Sequence, residues 1–210
     1  MFLNPVLAHE NEATLEFLEI GETVPNIELI DQDGQMFSLE TAQGKAVLIS
    51  FIYTKCPDVC PLQTTKMRQA QDILGDRFGE EVIFVSITYD TDDTPEILKN
   101  YALFHGVDLS GWKFLGSHDD HEIRDAVESL GSTYTKDENG TFTHSMFMYL
   151  VDADLKVNKM YFGTFLDPIE IADDINKLLP SSIDWSIVFI VTNIIGIIII
   201  GSIYFYKRKK

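Results

Sequence analysis

Two segments of the chain are apolar almost without interruption, AVLISFIY at 46–53 and EVIFVSIT at 81–88. Alternation would mark a strand with one wet face; continuous hydrophobicity predicts central strands covered on both faces. Ahead of them, NIELI (26–30), a DQDG turn (31–34) and MFSL read as a hairpin. Between them, residues 61–74 are predicted to be a helix opened by Pro61 and stopped by Gly75. TPEILKNYALFHG then gives a helix with Thr94 as N-cap, Pro95 in first position and Gly106 at the C-terminal end. WKFLG (112–116) is a short strand, followed by a helix near 121–130. FMYLVDADLKVNKMYFG (147–163) makes two strands around a turn at 152–154, and a last helix covers 167–179. The result is an α/β fold, a mixed central sheet flanked by helices, with an N-terminal hairpin and no internal repeat.

One further segment follows neither pattern. Residues 185–206, WSIVFIVTNIIGIIIIGSIYFY, carry no charge. At about 1.5 Å per residue they can cross a hydrocarbon core of roughly 30 Å as a transmembrane helix. Trp185, Tyr204 and Tyr206 stand where headgroups would be. The closing KRKK (207–210) is basic and the approach to the span is not, which predicts a cytoplasmic C-terminus and a single-pass cell-membrane protein with its domain on the extracytoplasmic side. The organisation is then an acidic lead-in at 1–22, a globular domain at 23–180, the span at 185–206 and the tail. The start has no basic leader region, so export is expected through a longer gene product, through the span as a reverse anchor, or not at all if the protein is tail-anchored; VLA before His9 favours the first. All 33 acids precede the span, against 12 of the 16 bases, giving that portion a net charge of −21. Such acidity argues against a nucleic-acid partner and suits a solvated head.

Both cysteines of the chain lie in FIYTKCPDVCP (51–61), each followed by a proline, at the end of the first central strand. A helix beginning beside Pro61 presents free N–H groups and partial positive charge to this loop, which favours thiolate. Three uses stay open. The pair is a stabilising disulfide or buried thiol pair; or a dithiol redox site, although such enzymes usually have two residues between the cysteines rather than three; or a metal site, where two soft thiolates favour Cu(I) over the competitor Zn(II) but need a third ligand. Of five histidines, His9 is in the lead-in, His105 ends a helix, and His118 and His121 sit in HDDH at a helix start, where a polar surface explains them better than a metal. His144 follows the DENG turn (137–140) just before a strand, where a loop can swing it beside the cysteines. Met146 and Met148 share its face and read as core packing before thioether ligands.

At this point YTKCPDVCP (53–61), DTDDTPEIL (90–98) and THSMFMYLVD (143–152) resemble the Sco (SenC-type) copper chaperones, over about residues 24–179. The resemblance implies a thioredoxin-like fold with an inserted hairpin and copper, as Cu(I), Cu(II) or both, held by Cys56, Cys60 and His144. It implies a metallochaperone for the dinuclear copper centre of cytochrome c oxidase, whose partner is the copper-accepting subunit of a haem-copper oxidase; the donor is not implied. It also places Asp90 and Asp93 near the site, with Asp93 and Thr94 starting a helix. Whether the protein is also an enzyme stays open: the alternative is a thiol-disulfide oxidoreductase that reduces the oxidase's copper-ligand cysteines through a redox pair, Cys56 and Cys60. A peroxidase is disfavoured, since no Thr-x-x-Cys surrounds the pair. The family usually carries an N-terminal span, and this chain departs from it with a C-terminal one.

Overall fold

The computed structural model describes residues 17–163 and 166–180. Seven strands form one mixed sheet in the order β2-β1-β5-β4-β3-β8-β9, and β6 pairs with β7 as a separate ribbon. The centre is the parallel set β3 (Ala46–Ile52), β4 (Val82–Thr88) and β5 (Trp112–Gly116). Every residue of β3 is buried, Ser50 among them, as its nearly continuous apolar run requires. The predicted hairpin, β1 (Glu28–Asp31) with β2 (Met36–Ser38), extends the sheet antiparallel beyond β5. On the other side β8 (Phe147–Val151) runs antiparallel to β3, and β9 (Val157–Phe162) closes the edge. Helices α1 (Val59–Leu74) and α4 (Pro168–Leu178) pack on each other, and α2 (Pro95–Phe104) packs against β5. Helix α3 (Asp120–Ser129) connects β5 to the small ribbon. This is the thioredoxin-like α/β arrangement.

Caps set the helix limits largely as the sequence predicts. The Thr94 hydroxyl accepts the Ile97 N–H at 3.3 Å, and the Asp119 and Asp167 carboxylates do the same for α3 and α4. Gly75 ends α1 at φ +53°, a left-handed conformation that glycine adopts without a Cβ penalty. Helix α1, however, begins at Val59 rather than beside Pro61. Proline is tolerated throughout a first turn because those N–H groups have no intrahelical partner, so Pro61 marks the turn and not its first residue. Residues 17–22, read as part of the lead-in, lie along the β8–β9 edge: the Leu18 N–H reaches the Tyr149 hydroxyl at 2.9 Å, and Phe17 meets Phe147 edge-on at 5.1 Å. Among the described residues no helix is long and apolar enough to cross a membrane. The span expected at 185–206 lies outside them, as do the tail at 207–210 and His9.

Candidate metal and thiol centre

The parallel register pairs Ile52 with Thr88, so β3 and β4 end together and release Tyr53 and Tyr89 side by side. The Tyr89 N–H still bonds the Ile52 carbonyl at 3.0 Å. The cysteine loop (53–58) and the acidic segment (90–93) are thereby neighbours at the carboxyl edge of the sheet. Because β8 is antiparallel to β3, with Ile49 opposite Tyr149, the chain enters β8 at this same edge. That entry is His144, the last residue of β7 (Phe142–His144).

The earlier start of α1 puts Cys60 inside its first turn, 1 % exposed, and aims the Cys60 N–H at the Cys56 sulfur, 3.5 Å away. Both thiols are free and buried. Burial alone would raise the Cys56 pKa, but the N–H groups of Asp58 and Cys60, the Cys60 thiol and the Tyr53 hydroxyl all point to its sulfur and bring it below the ordinary thiol value. For Cys60 burial dominates, and the neighbouring Cys56 adds to it, so its pKa is driven far up. The two thiols are therefore unequal: their surroundings favour the thiolate at Cys56 and the protonated thiol at Cys60, which donates to the Cys56 sulfur. Tyr53, buried and bonded to Cys56, has its phenol pushed up to about 12.

His144 meets the Tyr53 ring edge-on, with ring centroids 6.1 Å apart, and packs against Tyr89 at 4.8 Å. Its Nδ1 lies 2.8 Å from the Ser145 carbonyl oxygen. A carbonyl can only accept, so Nδ1 carries the proton and Nε2 keeps a lone pair free for a metal. Burial lowers the His144 pKa, against the Ser145 carbonyl, which keeps the ring neutral as a ligand must be. The donors fit a soft metal by type: two sulfurs, one in surroundings that favour thiolate, and an imidazole whose burial favours the neutral form. Among the described residues no three Cys, His, Asp or Glu side chains are gathered closely enough to hold a metal ion. Tyr53 touches both parts, bonded to Cys56 and packed on His144.

The remaining candidates sort clearly. Asp93 does not cap α2; its buried carboxylate accepts the Thr54 N–H at 2.9 Å, the Thr54 hydroxyl, and the Thr88 hydroxyl at 2.6 Å, clamping the cysteine loop to the end of β4. Asp90, fully buried, pairs with Lys55 at 3.3 Å and with Lys136 at 2.8 Å. Met148 is core, 1 % exposed, and Met146 is exposed. His105 packs on Tyr101 at 4.5 Å, and His118 and His121 are on the surface with no metal-binding set around them. Sequence reasoning did not find the ribbon of β6 (Tyr134–Lys136) and β7, nor the parts played by Tyr53, Tyr89 and Lys136. The signal was present: aromatic β-formers, Tyr134 and Phe142, flank the DENG turn.

The SCO1/SenC family model matches residues 19–180. An SCO2-like protein from Rickettsia typhi is 34% identical over 155 residues, covering 69% of this chain and 71% of that protein. Among solved structures, Bradyrhizobium japonicum ScoI with copper bound matches at TM-score 0.65 and 30% identity, over 77% of this chain and 100% of that one. The structure of BsSco, a member of the Sco family of cytochrome c oxidase assembly proteins in which a disulfide switch was identified, matches at TM-score 0.65 and 30% identity, over 77% and 96%.

Proposed function

The chain belongs to the SCO1/SenC family, and on that premise we propose that it is a membrane-anchored copper metallochaperone serving the dinuclear copper centre of cytochrome c oxidase. Cys56, Cys60 and His144 hold the copper, and the copper-accepting oxidase subunit receives it. The observation that carries this reading is the convergence at one sheet edge of a reduced cysteine pair and a neutral histidine with Nε2 free. Its copper-bound relative from Bradyrhizobium japonicum supports the choice of metal. Two thiolates and one imidazole suit three-coordinate Cu(I), and a further ligand extends the set to Cu(II). Completing the set requires His144 and the two sulfurs to come closer together than they stand. The uncharged stretch at 185–206 supplies the anchor, with the domain on the extracytoplasmic side.

The inequality of the thiols supports a second reading, a thiol-disulfide reductase. The Cys56 thiolate attacks a substrate disulfide and forms a mixed disulfide; Cys60 gives up its proton and attacks the Cys56 sulfur. The substrate leaves as a dithiol, with Cys56–Cys60 oxidised by two electrons. An oxidised pair cannot ligate as thiolates, so the two activities alternate with redox state.

Anaerobic copper titration of the reduced full chain in detergent, read by X-ray absorption, separates them. One copper per chain with two sulfurs and one nitrogen is expected, with the nitrogen lost and Cu(II) affinity down about tenfold or more in His144→Ala. Unchanged binding in that variant refutes the three-ligand set. Oxidase maturation that survives His144→Ala but not Cys56→Ser moves the assignment to the reductase.

A further inference from the structure

The ribbon that carries His144 has no backbone pairing with the seven-stranded sheet. Its register is three residue pairs, Tyr134 with His144, Thr135 with Thr143 and Lys136 with Phe142. A lone two-stranded ribbon is marginal in water. Where it sits on the domain is therefore decided by contacts that involve side chains, including the Tyr53 hydroxyl, which accepts a hydrogen bond from the Phe142 backbone. At its base the Tyr134 hydroxyl donates to Asp120 at 2.7 Å, with Arg124 over the ring at 4.6 Å. At its turn end Lys136 reaches Asp90, and its ammonium also lies 4.9 Å from the centre of the Phe142 ring, which packs on Tyr53.

Among the ion pairs of the described residues, Asp90 combines a carboxylate as buried as that of Asp31 with the two lysines that Asp174 also has. The Asp90 side chain is 1 % exposed and takes Lys136 on one oxygen and Lys55, the residue before Cys56, on the other. Lys55 is 58 % exposed and at the longer distance, so Lys136 is the closer counter-charge of a carboxylate that water cannot solvate. One buried anion thus joins the cysteine loop to the tip of the ribbon.

We propose that Lys136 is a positioning residue for the copper site: its ion pair with Asp90 keeps the ribbon folded over the cysteine loop and holds His144 against Tyr53, the side chain bonded to Cys56. This rests on the reading of His144 as a ligand. Without the pair the ribbon opens, and the imidazole is supplied from a looser ensemble while the thiolates are untouched.

The test compares Lys136→Met, Lys136→Arg and His144→Ala in the reduced full chain loaded with Cu(II). The readouts are nitrogen hyperfine coupling in the electron paramagnetic resonance spectrum, copper affinity by competition, and amide exchange across 134–144. Lys136→Met is expected to lose the nitrogen coupling, weaken Cu(II) about 10- to 100-fold and speed exchange in the ribbon, with Lys136→Arg restoring most of the loss. Adding it to His144→Ala should weaken copper no further. Should Lys136→Met fail to fold because Asp90 is stranded, Asp90→Asn combined with Lys136→Met removes the pair without the orphan charge and must give the same loss. Nitrogen coupling retained and affinity within about twofold, alongside a His144→Ala that loses both, overturns the role of Lys136 and leaves the ligand set standing. If His144→Ala changes neither, the ligand reading falls and Lys136 with it.

Discussion

Asp93→Ala should be among the most damaging single changes in the domain, although Asp93 ligates nothing in the proposed site. The substitution removes the acceptor of three hydrogen bonds from Thr54 and Thr88 at once. Thr54 is only partly buried, so water can reach its amide and hydroxyl, and each of those losses costs about 1 kcal/mol. Thr88 is fully buried, and a hydroxyl stranded there costs about 2 kcal/mol. The total, about 4 kcal/mol, is a large share of the roughly 5–15 kcal/mol by which a domain of this size is stable. Urea unfolding followed by tryptophan fluorescence measures it, since Trp112 lies in the core strand β5. Asp93→Asn, which keeps one carbonyl oxygen, should lose about half as much. A loss under about 1 kcal/mol at unchanged m-value would refute the clamp. So would an Asp93→Ala protein whose Thr54 amide exchanges no faster than in the unaltered chain.

Two further outcomes follow from the site and the anchor. In the reduced protein Cys56 should alkylate with a half-maximal rate below the pH of about 8.5 at which an ordinary thiol is half ionised, because its thiolate is stabilised. Cys60 should lag at every pH, and tandem mass spectrometry of the peptide holding both would locate the label; equal labelling at pH 7 would contradict the helix-end argument. A chain ended at residue 180 should leave the membrane fraction while the full chain resists salt and carbonate washes. Retention of the shortened chain would remove the role given to 185–206.

Much of the fold can be read directly from residue order. AVLISFI and VIFVSIT are apolar but for Ser50, Ser86 and Thr88, and a segment with no polar face has no stable place except the middle of a sheet. Thr94–Pro95 and Asp167–Pro168 start helices because a side-chain oxygen answers the first free N–H and proline does not need one. Spacing named the cysteine pair, and family resemblance named His144. The ribbon escaped notice because three-residue strands are too short for periodicity and are held by distant partners, Asp90 and Asp120, rather than by their own pattern.

What the chain alone determined, then, is the set of parts: two buried strands, a thiol pair at a strand-to-helix turn, capped helices and an uncharged terminal stretch. These are local consequences of side-chain chemistry and period. The tertiary structure decided which thiol ionises more readily, because that depends on which sulfur the first N–H groups of α1 meet. It also gave Asp93 to Thr54 and Asp90 to two lysines, and brought His144 beside a tyrosine bonded to Cys56 from more than eighty residues away. Such meetings follow from strand order and register, where a slip of one residue turns every side chain to the opposite face.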